Sequence, residues 1–304
     1  MKILAMDVGG TAVKSAIVDD LYNLSDVRLT PSLPKEGVPD PDIMSVKSAT
    51  LVAKEYSDYD VLAISMTGQI DEKRKVKLYR NGDGHGSPRP PIEAGEILER
   101  ATGRPVFILN DCNAAALGEA VFGRGRGYND FLCLTYGTGV GGAIVQNGAL
   151  FTGKLGIAGE IGHMITHVGG RKCSCGGRGC YEQYASSTAL LSSARKISHE
   201  IKNVKELFEI NGESGRFSRI IGSWEREIAT GLISLAHIFN PECIILGGGV
   251  MEEKSVLRAI VREFRGGAML TFSDVNIVSA SLGNQAGMLG AAVYAREELN
   301  KNTR

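Results

Sequence analysis

The feature that most constrains this chain is a turn that occurs twice. Residues 3–6 (Ile-Leu-Ala-Met) form a short apolar run that breaks at Asp7-Val8-Gly9-Gly10-Thr11. The chain then returns through Val13 to Val18, the pattern of a β-hairpin tipped by Gly and Thr. Residues 131–147 repeat the plan: Phe131-Leu132-Cys133-Leu134-Thr135 rises, Gly137-Thr138-Gly139 turns, and Gly141 to Val145 returns. With a shift of 127 positions, Gly10, Thr11, Val13, Ala16, Ile17 and Val18 fall on Gly137, Thr138, Val140, Ala143, Ile144 and Val145, six identities in nine positions. That likeness points to an internal duplication and so to two related halves that face each other. A third cluster, Gly247-Gly248-Gly249, follows the apolar run Cys243-Ile244-Ile245-Leu246 and suggests a backbone closely approached by a ligand.

Between these landmarks, apolar runs at 61–65 and 106–109 read as strands, and periodic stretches at 92–102, 112–122, 224–239 and 287–299 as helices. Strand and helix in alternation give an α/β class. With 304 residues, two domains are expected: residues 1–111, joined by the last helix at about 289–304, and residues 112–288. Residues 81–91 are too rich in Gly and Pro for helix or strand and form a loop. Thirty-four basic side chains balance thirty-four acidic ones, which leaves no electrostatic footprint for nucleic acid. No apolar run approaches the ~18 residues of a membrane span, and the N-terminus carries no secretory pattern. A cytoplasmic protein with neither nucleic-acid nor membrane partners is expected.

Gly-rich turns suit phosphate because their backbone N–H groups can converge on an anion, with a Thr hydroxyl as a further donor. Asp7, just before the first turn, is placed to hold a Mg²⁺ that neutralises phosphates. Neither turn has the spacing of a Walker A loop or of a Rossmann fingerprint. The strand at 106–109 runs into Asn110-Asp111 and then an Ala-rich stretch. Either residue can cap the helix that follows. A carboxylate at the carboxyl end of a strand also sits where α/β sheets bind ligands, ready to take a proton from a hydroxyl attacking a phosphate.

Three of the six cysteines stand in Cys173-Ser-Cys175-Gly-Gly-Arg-Gly-Cys180, with His163 ten residues upstream. Disulfides or free thiols are the plain alternatives, but a cytosolic setting and the intervening glycines favour a closed Cys₃His zinc site. His167 is a competing ligand by position. Glu160 and Glu182 flank this knot, which would fix the two carboxylates for several hydroxyls of one ligand.

Assembled, these residues make the chain resemble the ROK family of sugar kinases, within the actin-like ATPases. Asp7-Val-Gly-Gly-Thr11-Ala-Val-Lys14 is similar to the family's first phosphate motif and Gly137-Thr-Gly-Val-Gly-Gly142 to its second. Asn110-Asp111-Cys-Asn113-Ala-Ala-Ala-Leu-Gly118-Glu119 resembles the catalytic segment. Gly156-Ile-Ala-Gly159-Glu160-Ile-Gly-His163 resembles the signature, and Cys173 to Glu182 the zinc motif. The resemblance implies two α/β domains of ribonuclease H-like type that close on ATP and sugar. Asp111 would be the general base, and Asn110, Asp111, Glu160, His163 and Glu182 the sugar contacts. Gly9, Gly10, Thr11, Lys14, Gly137, Thr138, Gly139 and Gly248 would serve ATP with Asp7, and His163, Cys173, Cys175 and Cys180 would hold zinc. His163 would do double duty, one ring nitrogen on zinc and the other on sugar. A homodimer is expected, since the family is commonly dimeric.

Two departures concern the sugar. Many hexose-specific members carry Pro-Gly where this chain reads Met66-Thr67-Gly68-Gln69, and an Asn-Leu-x-x-Trp segment is replaced by the 81–91 loop. The stretch Ala158 to His163 resembles the glucokinase and N-acetylmannosamine kinase form, so glucose, phosphorylated at its 6-hydroxyl, is the first expectation. N-acetylmannosamine or another hexose is the alternative. Family repressors carry a helix-turn-helix ahead of the first phosphate strand, for which a strand starting at Ile3 leaves no room. A silent sugar sensor would have no need of Asp111 and both turns together.

Overall fold

In the computed structural model, which describes residues 1–34, 41–74, 76–77 and 91–302, both repeats fold as hairpins and each occupies the same place in its own sheet. The first half runs β1 (Ile3–Val8), β2 (Ala12–Val18), β3 (Leu24–Pro31), α1 (Pro41–Lys54), β4 (Val61–Met66), a short hairpin of β5 (Gln69–Ile70) and β6 (Val76–Lys77), α2 (Ala94–Thr102), β7 (Val106–Asn110) and α3 (Asp111–Phe122). The second runs β8 (Phe131–Tyr136), β9 (Val140–Gln146), β10 (Ala149–Leu150), α4 (Glu182–Ala185), α5 (Ser187–Arg195), α6 (Val204–Ser214), α7 (Ser218–Phe239), β11 (Cys243–Gly247), α8 (Lys254–Gly267), β12 (Asn276–Ser279) and α9 (Ala286–Asn302).

The sheets have orders β3-β2-β1-β4-β7 and β10-β9-β8-β11-β12. In each, a hairpin strand pairs antiparallel with its return and parallel with the next long strand, β4 beside β1 and β11 beside β8. Both central parallel strands are buried along their full length, which is why they read as unbroken apolar runs. The first turn takes four residues between Val8 and Val13, the second three between Tyr136 and Val140. The 127-residue offset therefore holds from Gly10 and Thr11 of the turn through the returning strand, where the identities were found, and not on the rising strand.

Most expected elements form close to their expected bounds. Helix α7 begins at Ser218 rather than 224, because Ile221, Trp224 and Ile228 continue one buried stripe behind the fully buried Phe217. Strand β3 is an edge strand with five of eight residues exposed, so it carries no apolar signal. Residues 81–90 of the Gly/Pro-rich loop lie outside the described residues.

Side chains alternate across β1: Leu4, Met6 and Val8 join a core beneath α1 and α2, while Ile3 and Ala5 pack with Met288, Ala291, Ala292 and Ala295 of α9. Helix α3 packs Cys112 and Ala116 onto the second sheet. The two sheets meet through α3 and α9, whose backbones touch. A Cβ on Gly290 would stand 1.7 Å from the Ala114 carbonyl oxygen, and one on Gly118 would stand 2.6 Å from that of Ala286. Gly290→Ala should therefore force the helices apart and cost about 1–3 kcal/mol. Gly266→Ala on α8, where a Cβ meets nothing within 4 Å, should be neutral or stabilising by up to ~1 kcal/mol. Urea denaturation of the two variants checks this; equal stabilities would mean the helix contact yields freely.

Candidate active site

The carboxyl ends of β4, β7, β8 and β11 open onto one cleft of about 550 Å³, the place where open α/β sheets take ligands. Its lining includes Thr67 to Ile70, Asn110 to Asn113, the turn at 135–142, Gly156 to Glu160, His163, Glu182 and Gly248.

At the end of β7 the two candidate caps divide their roles. Asn110 is the cap: its Oδ1 accepts the N–H groups of Cys112 (2.9 Å) and Asn113 (3.2 Å). Its Nδ2 donates to the Gly68 carbonyl at 3.0 Å, leaving one amide hydrogen for a ligand. Asp111, the first helical residue, lines the cleft and shares in the cap. Its Oδ1 accepts the Cys112 N–H at 2.9 Å and its Oδ2 the Thr67 hydroxyl at 3.2 Å. Burial raises this carboxyl above the ordinary carboxylate range and the nearby charge of Asp7 adds to the rise, while the Cys112 N–H and the Thr67 hydroxyl oppose it.

The two Gly-Thr turns differ in their setting. Gly137, Thr138 and Gly139 line the cleft. A Cβ on Gly137 meets nothing within 4 Å, so the backbone there faces open space that a phosphate can fill. Gly248 also lines the cleft, at φ +102°, where a Cβ would strike the Tyr136 carbonyl oxygen at 2.2 Å. Asp7, Gly9, Gly10, Thr11 and Lys14 are not among the lining residues. Asp7 lies behind the lining, its Oδ1 accepting from the Ser65 hydroxyl (2.9 Å) and its Oδ2 from the Lys14 ammonium (3.2 Å). It still acts on Asp111 through its charge.

The four donors of His163, Cys173, Cys175 and Cys180 all lie within 4.8 Å of one another. The Cys173 Sγ to His163 Nδ1 and the Cys175 Sγ to Cys180 Sγ separations are both 3.6 Å. A zinc tetrahedron with ~2.0–2.3 Å bonds has edges of roughly 3.5–3.8 Å, so the set fits that ion. It does not fit a disulfide, whose sulfurs stand about 2.05 Å apart, and all six cysteines are free. His167 is outside the set. It stacks on Tyr184 at 3.8 Å, with its Nε2 3.5 Å from Glu227.

The knot carries the flanking carboxylates into the cleft. Glu160 stands 3.8 Å from His163 Nε2. Partial desolvation raises its carboxyl, opposed by His163 and by the amide of Gln69. Glu182 opens α4, with its Oε1 3.1 Å from Cys173 Sγ. A Cβ on Gly139 would meet its Oε2 at 2.5 Å. One carboxylate thus touches both the knot and the second turn.

Sequence reasoning missed Thr67, Gln69 and the cleft-facing role of Asn113. Thr67 follows directly on β4, and the strand-end rule that singled out Asp111 would have found it too. Among the described residues no helix is long and apolar enough to cross a membrane.

The ROK family model matches residues 3–298. The glucokinase of Streptomyces coelicolor is 32% identical, over 97% of this chain and 97% of its own. The N-acetylmannosamine kinase of Haemophilus influenzae is 30% identical, over 98% and 97% respectively. Among solved structures, a ROK glucokinase from Streptomyces griseus in complex with glucose and AMPPNP superposes with a TM-score of 0.80 at 31% identity, over 98% of this chain and 100% of that one. Near-full-length agreement in sequence and in the two-sheet architecture leads to one conclusion: the chain belongs to the ROK family.

Proposed function

We propose that this protein is an ATP-dependent hexose kinase, with glucose as first candidate, the 6-hydroxyl as acceptor and Asp111 as general base. The observation that carries the reading is the place of Asp111 at the end of β7, a carboxylate of raised proton affinity that lines the cleft with the Gly137–Gly139 turn while Asn110 takes the larger share of the helix cap. The Streptomyces relatives point to glucose, and the Haemophilus relative makes N-acetylmannosamine the second reading. We assign the lobes as residues 1–111 with 289–304, and 112–288, and take the enzyme as a cytoplasmic homodimer on the family resemblance.

In this reading Asn110, Glu160, His163 and Glu182 hold the sugar hydroxyls. Asp111 accepts the 6-hydroxyl proton as that oxygen bonds to the γ-phosphorus of ATP and the bond to the leaving ADP oxygen breaks. Thr138 and Gly139 of the second turn, whose Gly137 N–H is spent on the Gly139 carbonyl, would face the phosphates on one side with Gly137 and Gly248, and Gly9, Gly10, Thr11 and Lys14 on the other. Mg²⁺, held through Asp7, would supply charge neutralisation to the phosphates. Zinc in the Cys₃His set would fix the knot and with it Glu160, His163 and Glu182.

Asp111→Asn should lower kcat by about 10²–10⁴-fold while calorimetry still shows sugar binding; near-normal turnover would remove the base role. Asp111 must be ionised to act, so kcat/KM should fall as pH drops through a value above the ~3.9 of an ordinary Asp. An acid limb at or below that value would contradict the raised carboxyl. Gly137→Val should raise the KM for ATP about ten-fold before that for sugar, whereas Gly139→Val should disturb both, because its side chain meets Glu182. Steady-state kinetics on both substrates separates the two. Metal analysis should find about one zinc per chain, lost in Cys180→Ala with a lowered melting temperature; folded, active protein without zinc would dismiss the site.

A further inference from the structure

Among the described residues, three buried side-chain polar atoms have no hydrogen-bond partner: Gln69 Oε1, Asn113 Oδ1 and Arg296 Nε. Two of the three are acceptors on residues that line the cleft. Buried acceptors are ordinarily paired, because losing water without gaining a donor costs free energy. Their concentration in a ligand cleft indicates that the ligand brings the missing donors.

Gln69 has the clearer geometry. The residues after β4 each engage a different member of the site: the Thr67 hydroxyl donates to Asp111 at 3.2 Å, and the Gly68 carbonyl accepts from Asn110 at 3.0 Å. Gln69 comes next, held in the β5–β6 hairpin opposite Lys77. Its amide lies against Glu160 on the second half of the chain. A carboxylate attracts the N–H end of an amide, so the NH₂ of Gln69 turns to Glu160 and Oε1 is left as the free acceptor. The terminal torsion of Gln is broad, and a donor in the cleft can draw Oε1 towards it at small cost.

We propose that Gln69 is a specificity-determining residue that accepts a hydrogen bond from a donor on the sugar, adjoining the group held by Glu160; this rests on the kinase reading above. The donor is an O–H of a plain hexose or the N–H of an acetamido hexose. A site built to accept a hydrogen bond rejects the analogue that lacks the donor, because the acceptor is then buried unpaired.

The test compares wild type with Gln69→Leu, and with Gln69→Met as a second variant closer in shape. Each is assayed by ADP release and by calorimetric titration without ATP. The probes are glucose, its 1-, 2-, 3- and 4-deoxy forms, and N-acetylmannosamine. Wild type should lose about ten-fold or more in kcat/KM on one deoxy sugar, or favour the acetamido sugar by a similar factor, which assigns the donor to O–H or N–H respectively. Both variants should abolish that one difference, raise the KM for the favoured sugar about ten-fold, and leave the KM for ATP within about two-fold. Wild-type discrimination retained in both variants would overturn the assignment to Gln69 alone. So would equal losses on every sugar and on ATP, the mark of a structural role. Wild-type protein that neither binds nor phosphorylates any sugar of the panel would overturn the kinase reading, and Gln69 with it.

Discussion

Helix α3 begins where a strand must stop, and the N–H groups of its first turn need acceptors. Asn110 supplies one oxygen to two of them. Asp is as good a cap as Asn, and Asp111 Oδ1 shares the Cys112 N–H at 2.9 Å, but Asn110 also takes that of Asn113. The neutral amide takes the larger share of the capping, and the ionisable side chain keeps its Oδ2 for the Thr67 hydroxyl in the cleft. With its other end Asn110 holds Gly68, so the ends of β4 and β7, neighbours in the sheet, are also joined beyond it. The Thr67 hydroxyl then comes within reach of Asp111.

The same helix is fastened at its far end by a second carboxylate with the opposite fate. Glu119 is wholly buried, and it accepts the N–H groups of Arg124 (2.7 Å), Ser281 (2.7 Å) and Leu282 (2.8 Å) and the Ser281 hydroxyl at 3.1 Å. A buried charge is tolerated when its lone pairs are filled in this way. These bonds fix the segment that leads into α9, whose backbone lies against α3 at Gly118 and Gly290. Asp111 is thus aimed from both directions: capped in place at the start of α3 and anchored through the end of α3 to the helix that packs on the first sheet.

How much of this was legible follows from the range of each interaction. The hairpins, both long parallel strands and helices α2, α3 and α9 declare themselves through local apolar pattern and turn chemistry. Strand β3 does not, because an edge strand has little to bury. The Cys₃His set was legible because its donors are close in sequence, yet sequence alone left His167 in contention with His163. The roles of Asn110 and Asp111 were open because both types suit a cap and only the side-chain directions separate them. Glu119 and Gln69 were out of reach. Their significance lies in partners on the other half of the chain, Ser281 for one and Glu160 for the other, and no spacing rule encodes such a meeting.

In the proposed reading one cluster of residues serves both the metal site and the sugar site. His163 turns Nδ1 towards Cys173 Sγ and Nε2 towards Glu160. Metal held on Nδ1 would leave Nε2 with the proton, and the imidazole would then be a fixed donor. Beside it stands a carboxylate that can only accept. A donor and an acceptor held side by side match the hydroxyls of a sugar, each of which gives one hydrogen bond and takes others. Glu182 extends the row, wedged between Cys173 and Gly139, and so ties the spacing of the proposed sugar-binding groups to the proposed phosphate-binding turn. In that reading the distance between acceptor hydroxyl and phosphate, on which phosphoryl transfer depends, would be set by the one cluster that joins the two sets of groups.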